Sequence, residues 1–325
     1  MLSGESHKAI KIMNNYGKHH IPFIFMIDFE MKSPVIIKLS DVEGNILFKV
    51  GKHQNYSSIS TELPNLQFEK YPVDYDMYLS AFNKVMEHIK DGNTYLLNLT
   101  FPTQIKTNYT LEEILYSSQA KYKLCFNSKF VVFSPETFVQ IQNGKISSCP
   151  MKGTIDASIE NAEKILLNDE KEIAEHNTIV DLIRNDLSIV AKNVKVEKFR
   201  YVETVKTSVK TLLQTSSLIS GALNDDYIEN IGTLIIKLLP AGSVSGAPKK
   251  KTVEIIKEVE NYSRGFFTGI FGVFDGINLD SAVLIRFIEN INNEFYFKSG
   301  GGITFMSNPE AEYQEMIDKV YVPII

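Results

Sequence analysis

The chain has 325 residues, of which 44% are hydrophobic, 22% charged and 11% aromatic, with a formal net charge of −5. This is the composition of a packed protein rather than a disordered one, and a chain of this length can bury a core without cross-links. An acidic balance with no dense Lys/Arg run gives nucleic acid no electrostatic footing, so none is expected as a partner. A small anionic substrate stays open, because local cations or a metal can hold an anion inside an acidic protein. Cys125 and Cys149 are the two cysteines, too few for a disulfide framework, and they suit a reducing compartment. The first twenty residues carry no apolar signal core. The apolar run 21–29 is interrupted by Pro22 and Asp28 and is too short to span a bilayer. A soluble cytoplasmic protein without a membrane partner is expected.

No linker, repeat or low-complexity stretch divides the chain, which reads as a single domain over 1–325. Residues 1–74 form a short strand-rich part and 75–325 the core. IPFIFMIDF, SPVIIKL and GNILFKV are strands, the last after the turn signal Glu43-Gly44. From Tyr75 to Ile89, apolar residues recur at helical spacing until Asp91-Gly92. TYLLNLTFP is a strand and LEEILYSSQA a short helix. KLCFNS, FVVFSP, TFVQIQNG and KISSCP are strands, with Asn143-Gly144 as a hairpin turn. Residues 159–167 and 171–186 are helical, VKVEKF is a strand, and a long strand pair lies around 202–223. Helices follow over 226–239 and 248–260, on either side of Pro240-Ala241-Gly242. GIFGVFDG, SAVLIRFIEN and EFYFKSGGGI return to strands, and Asn308-Pro309 opens a last helix as N-cap and first helical residue. Strands first, helices next and strands last imply an α+β fold.

Five constellations could carry chemistry. Lys152, in CPMKGT directly after a strand, sits on a sharply turned segment. It is either an ordinary surface lysine or a partly desolvated amine with nucleophilic character. Glu136, in SPE at a strand end sixteen residues earlier, is a solvated glutamate or, if the two strands pair, a general acid near Lys152. Glu172 and Glu175, like Glu312 and Glu315, are three apart in helices, so each pair shares a face. They are solvated helix faces or oxygen ligands for Mg²⁺. A di-iron site, the competing metal reading, would need Glu-x-x-His on two helices; His176 stands four after Glu172 and has no counterpart. The glycine-rich turns GSVSGAPK (242–249) and SGGG (299–302) are structural loops or anion cradles, and neither is a P-loop. Arg286, inside AVLIRFI, needs an anionic partner, either a substrate carboxylate or a structural glutamate.

Their order along the chain is more specific than any one of them. SPE, P-x-K-G-T, AEH-x-x-IVDLIRNDL, PAGSVSGAPK, a strand ending in IR, SGGGI and PEAEYQE together resemble the chorismate-utilising enzymes over roughly residues 75–320. That family includes anthranilate, isochorismate and salicylate synthases and aminodeoxychorismate synthase component I. The resemblance implies two large, mainly antiparallel sheets packed together with helices outside and the active site in a cleft. Lys152 is similar to the lysine of aminodeoxychorismate synthases, where anthranilate and isochorismate synthases carry alanine. Gln214 points the same way, and the N-terminus lacks the Leu-Leu-Glu-Ser element of tryptophan-sensing anthranilate synthases.

The implied reaction aminates chorismate at C4 to 4-amino-4-deoxychorismate, on the way to 4-aminobenzoate and folate. By the same resemblance, Glu175 and Glu315 hold Mg²⁺ on the ring carboxylate, supported by Glu172 and Glu312. Arg286 and the N–H groups near Gly301 and Gly302 grip the enolpyruvyl carboxylate, with Ser245 and Lys249 at that end. Thr154 and Gln214 complete the substrate contacts. Lys152 attacks C2 while Glu136 protonates the departing hydroxyl. No Cys-His-Glu glutaminase set occurs in the chain, so a separate glutamine amidotransferase subunit is the implied source of ammonia.

The sequence departs from the family pattern at three places. Leu96 stands where the family often has glutamine, although Asn98 remains. Asn185-Asp186-Leu187-Ser188-Ile189 loses an arginine, and the part before residue 75 is short. Anthranilate or isochorismate synthesis and a non-catalytic chorismate-binding protein are the competing readings; Lys152 and the intact carboxylate set weigh against them.

Overall fold

The computed structural model describes residues 3–57, 63–206 and 211–324. They divide into two compact units, each assembled from three stretches of chain. The first takes Met1–Asp41, Glu136–Ser243 and Gly269–Val283; the second takes Val42–Pro135, Val244–Thr268 and Leu284–Ile325.

The first unit is built on a nine-stranded antiparallel sheet. Its order is Met151–Asp156, Thr211–Ala222, Lys145–Ser148, Thr137–Gln142, Leu279–Val283, Ile270–Phe274, Phe23–Ile27 and Val35–Lys38, with Lys192–Lys206 also paired to Thr211–Ala222. The long strand pair expected around 202–223 is this last pairing; its residues 207–210 lie outside the described residues. Phe23–Ile27 is buried throughout, as its unbroken apolar run requires of a central strand. Its Phe23 ring lies 5.2 Å from that of Phe274 on the adjoining strand. Asn143 and Gly144, at φ +50° and +76°, make the expected tight turn.

The helix Gly4–Lys18 was not expected. Ser3 caps it by accepting from the Ser6 N–H, and Ala9 and Met13 are buried. It packs closely on Ile231–Lys237, because a Cβ on Gly17 would meet the Ile228 carbonyl at 2.0 Å and one on Gly232 would meet Met13 Cβ at 2.7 Å. That contact replaces the helix expected over 226–239 with a shorter one, preceded by turns. The helix expected over 159–167 likewise starts later, as Ala162–Asn168.

The second unit has its own nine-stranded antiparallel sheet. The order is Gly246–Ala247, Leu96–Thr107, Glu294–Thr304, Phe287–Ile291, Phe130–Ser134, Tyr122–Phe126, Ile46–Val50 and His53–Gln54, with Phe68–Tyr71 also on Leu96–Thr107. Flanking helices are capped as their sequences dictate. Leu111–Ser117 starts with a full Thr110/Glu113 capping box, and Pro309–Asp318 has Asn308 accepting from the Ala311 N–H at 2.9 Å. SAVLIRFIEN is two strands rather than one. It breaks after Val283, Arg286 takes φ +53°, and the chain passes from the first unit to the second. No helix among the described residues is long and apolar enough to cross a membrane.

A buried ion pair ties this second unit together. Arg264 grips Glu260 with two bonds, Nε to Oε2 at 2.8 Å and Nη2 to Oε1 at 2.6 Å, and both side chains are nearly inaccessible. The guanidinium also donates to the carbonyls of Val244 and Asn98, and Glu260 Oε1 accepts from the Thr100 N–H and hydroxyl. Every polar atom of such a pair needs a partner, and removing one side strands the other. Arg264→Met is therefore expected to cost about 3–5 kcal/mol in urea unfolding, and Arg264→Met/Glu260→Gln clearly less. Equal losses for the two variants would show that the pair is not the organising contact.

Candidate active site

Lys145–Ser148 and Met151–Asp156 both pair with Thr211–Ala222, in continuous register from Lys145↔Ala222 to Lys152↔Thr215. They form one line of strand interrupted at Cys149-Pro150, where proline has no N–H to give the ladder. After the interruption a bulge falls between Lys152 and Thr154, and Gly153 takes φ +72°. A side chain there would be strained. Its Cβ would also lie 2.9 Å from Leu166 Cδ1 and 3.3 Å from Glu172 Oε2. The proline and glycine beside Lys152 thus shape the strand that carries it.

The Lys152 side chain, 26% exposed, donates from Nζ to Glu175 Oε2 at 2.8 Å. Glu175 is buried on the helix Glu170–Ser188. Its other oxygen lies 3.8 Å from the Lys171 ammonium, one helical turn earlier. His176, next in the helix, is 1% exposed and bonds Ser217 Oγ at 2.6 Å through Nε2, while Nδ1 has no partner. Burial first, and the Arg200 and Lys152 cations second, hold its imidazole down to about 4, so it is neutral near pH 7. Thr154 and Gln214 stand opposite each other in the register, Thr154 exposed and Gln214 half-buried.

Glu136 directly precedes the strand Thr137–Gln142, which runs beside Lys145–Ser148 and not beside Met151–Asp156. Continuing the register Gln140↔Ser147 brings Glu136 level with Met151, the residue before Lys152. The strands that carry Glu136 and Lys152 therefore do not pair with each other, as the expected approach of the two side chains had required. Glu136 lines a small recess, partly open to solvent, together with Asp186 and Ser243, and its Oε1 accepts from the Ser243 hydroxyl.

In the second unit, Glu312 is 2% exposed and accepts from the Ser307 hydroxyl at 2.8 Å. Glu315 is exposed and carries the Lys319 ammonium at 2.6 Å. Both carboxylates turn over Gly301, where a Cβ would meet Glu312 Oε2 at 3.3 Å and Glu315 Oε1 at 3.5 Å. The paired strands Leu96–Thr107 and Glu294–Thr304 put Gly301 opposite Leu99 and Gly302 opposite Asn98. Arg286 is half-buried at its strand break, with its guanidinium 5.5 Å from the Tyr321 ring centre, and no described carboxylate pairs with it. Of its two expected partners, a structural glutamate is therefore excluded among the described residues.

Ser245 is fully buried at the end of the helical turn Gly242–Ser245, and Lys249 is half-buried at the start of Lys249–Val259. Between them, Gly246 at φ +132° is required, because a Cβ would fall 1.9 Å from the Leu96 carbonyl oxygen. What was expected as a loop is thus a helical turn followed by a two-residue strand.

Three participants had not been singled out from sequence: Lys171, Lys319 and Ser243. The two lysines carried a signal, since each lies four residues from a candidate glutamate on the same helix. Ser243 carried none beyond its place in the glycine-rich turn. Among the described residues, no three His, Cys, Asp or Glu side chains are grouped closely enough to hold a metal, and lysines occupy Glu175 and Glu315 instead.

An uncharacterized PabA-like protein of Pasteurella multocida (strain Pm70) is 49% identical over 320 residues, 98% of this chain and 99% of that protein. Aminodeoxychorismate synthase component 1 of Salmonella typhimurium is 33% identical over 261 residues, 75% of this chain and 56% of that enzyme. The solved anthranilate synthase component I of Streptococcus pneumoniae superposes with a TM-score of 0.63 at 26% identity, over 79% of this chain and 59% of that one. The model of the chorismate binding enzyme family matches residues 34–324, a span that holds the four candidate carboxylates and the strand-borne lysine: the chain belongs to the chorismate-binding enzymes.

Proposed function

We propose that the chain aminates chorismate at C4, giving 4-amino-4-deoxychorismate for 4-aminobenzoate and folate synthesis, with ammonia supplied by a glutamine amidotransferase partner. The observation that carries this reading is Lys152. Its amine is held on a strand, a quarter exposed, by a buried carboxylate. Anthranilate and isochorismate synthases, the nearest alternatives in the family, typically have alanine there and have no use for an amine at that point.

The carboxylate pairs fit a hard divalent cation. They are oxygen donors, and Gly301 and Gly153 leave them room against the backbone that a Cβ would fill. Glu175 and Glu315 are the direct ligands in this reading, supported by Glu172 and Glu312. Bound Mg²⁺ supplies charge neutralisation and orientation for the ring carboxylate. Arg286, which pairs with no carboxylate among the described residues, suits the enolpyruvyl carboxylate, together with N–H groups near Gly301 and Gly302 and with Ser245 and Lys249. Thr154 and Gln214 would bound the ring on the Lys152 side.

The chemistry divides into two displacements. As a free amine, Lys152 bonds to C2; both ring double bonds shift one position round the ring and the C4–O bond breaks, with Glu136 giving its proton to the leaving hydroxyl. Ammonia then bonds to C4, both double bonds shift back, the C2–N bond to Lys152 breaks, and a proton of the added ammonia returns to Glu136. Covalent catalysis of this kind replaces one hard substitution with two easier ones.

Chorismate, Mg²⁺ and ammonium should give a product that becomes 4-aminobenzoate only when an aminodeoxychorismate lyase is added, as read by chromatography and mass. Anthranilate or isochorismate instead would overturn the assignment, and metal-dependent binding without turnover would mark a binding protein. Lys152→Ala should lower kcat by at least about 10³-fold, and wild-type enzyme denatured during turnover should carry an adduct on Lys152. Gly301→Ala should raise the apparent Kd for Mg²⁺ about tenfold or more in calorimetry, by pushing the Glu312 and Glu315 carboxylates out of line. An unchanged affinity would remove those residues from the metal site.

A further inference from the structure

We propose that Ser243 is the positioning residue for Glu136, its hydroxyl deciding which carboxyl oxygen carries the acid proton; this rests on the reading of Glu136 as the general acid. The Ser243 hydroxyl donates to Glu136 Oε1. An oxygen that already accepts a hydrogen bond is the poorer site for a proton, so the Ser243 donor favours the acidic proton on Oε2.

The elements around this contact fix both partners. The Glu136 carbonyl accepts from the Val283 N–H at 3.2 Å, which ties its backbone to the adjoining strand Leu279–Val283. Ser243 sits in the helical turn Gly242–Ser245, held against the helix Glu170–Ser188. A Cβ on Gly242 would lie 2.9 Å from Leu182 Cδ2 and 3.0 Å from Asp186 Oδ2. The turn thus packs closely on that helix at Gly242, and Ser243 is presented to Glu136 from a packed turn.

The recess sets the acid's strength as well as its direction. Phe138, Ile183 and Leu238 give it apolar walls, and Asp186 supplies a second carboxyl group. Both features favour a protonated Glu136, as a general acid near neutral pH requires. A cation brought near Glu136 acts in the opposite sense. The Ser243 bond likewise favours the ionised form, and so stabilises the carboxylate left after the proton has gone. Its contribution belongs to the reacting complex more than to substrate binding, which is what separates a positioning role from a packing role.

The test uses the full chain with two substitutions. Ser243→Ala is expected to lower kcat about 10- to 100-fold while KM stays within about threefold. It should also move the alkaline limb of the pH–rate profile upward, because a donor to the charged form is lost. Ser243→Thr keeps the hydroxyl and should restore both quantities. Independently of turnover, infrared difference titration, with Glu136→Gln spectra subtracted, should show the protonated Glu136 carbonyl band persisting to higher pH in Ser243→Ala. An unmoved Glu136 titration in folded Ser243→Ala, or a loss that threonine fails to repair, would overturn the proposal. A shifted titration in a protein that consumes no chorismate would instead uphold the Ser243–Glu136 coupling and defeat the functional reading.

Discussion

A bond of 2.8 Å between a strand lysine and a buried helix carboxylate constrains much of the first unit. Glu175 is 6% exposed, and a carboxylate so far from water needs compensation by cations or donors. Lys152 provides it on one oxygen and Lys171 on the other. The strand must end at the right level for Lys152 to reach, which the break at Pro150 and the bulge at Gly153 arrange. The helix must lie close to the strand, which Gly153 permits by presenting no side chain to Leu166 and Glu172. His176 then finds itself beside two cations and stays neutral, bonding a serine instead of a charge.

The second unit solves a related problem with different parts. Glu312 and Glu315 lie over a glycine backbone, and the partial positive charge they face comes from a serine hydroxyl and a lysine one turn along. The two pairs share their spacing but not their burial. Glu175 and Glu312 are nearly inaccessible, whereas Glu172 is half-buried and Glu315 exposed. An i,i+3 pair need not present both members alike, because three residues span only about 300° of a helical turn.

Much of this was legible in the sequence. Alternation and turn dipeptides located most strands, apolar spacing located the helix from Tyr75, and the Asn308-Pro309 cap located the last helix, because those signals act within a few residues. The contributions that failed to show were non-local. Gly4–Lys18 has a weak apolar face and is explained only by Gly17 and Gly232, more than two hundred residues apart. AVLIRFI reads as one strand by composition, yet its halves serve different sheets, a choice made by tertiary pairing and not by local propensity. At the site, residue types and order named the carboxylates and the lysine. They could not show that Lys152 would rest on Glu175, nor that a serine in a glycine-rich turn would reach a glutamate 107 positions earlier.

The division of the chain into interleaved stretches has a consequence for its birth. The path changes units at 41/42, 135/136, 243/244, 268/269 and 283/284, so neither unit is complete until late in synthesis. The first waits for Val283, and the second for the final helix. Domains made of contiguous chain can fold one after another as they leave the ribosome. Here the first sheet's buried strand Phe23–Ile27 emerges more than two hundred residues before its neighbour Ile270–Phe274. Such separations slow folding and leave apolar edges open meanwhile. A nascent chain of this design depends on holding those edges apart until its last third has been made.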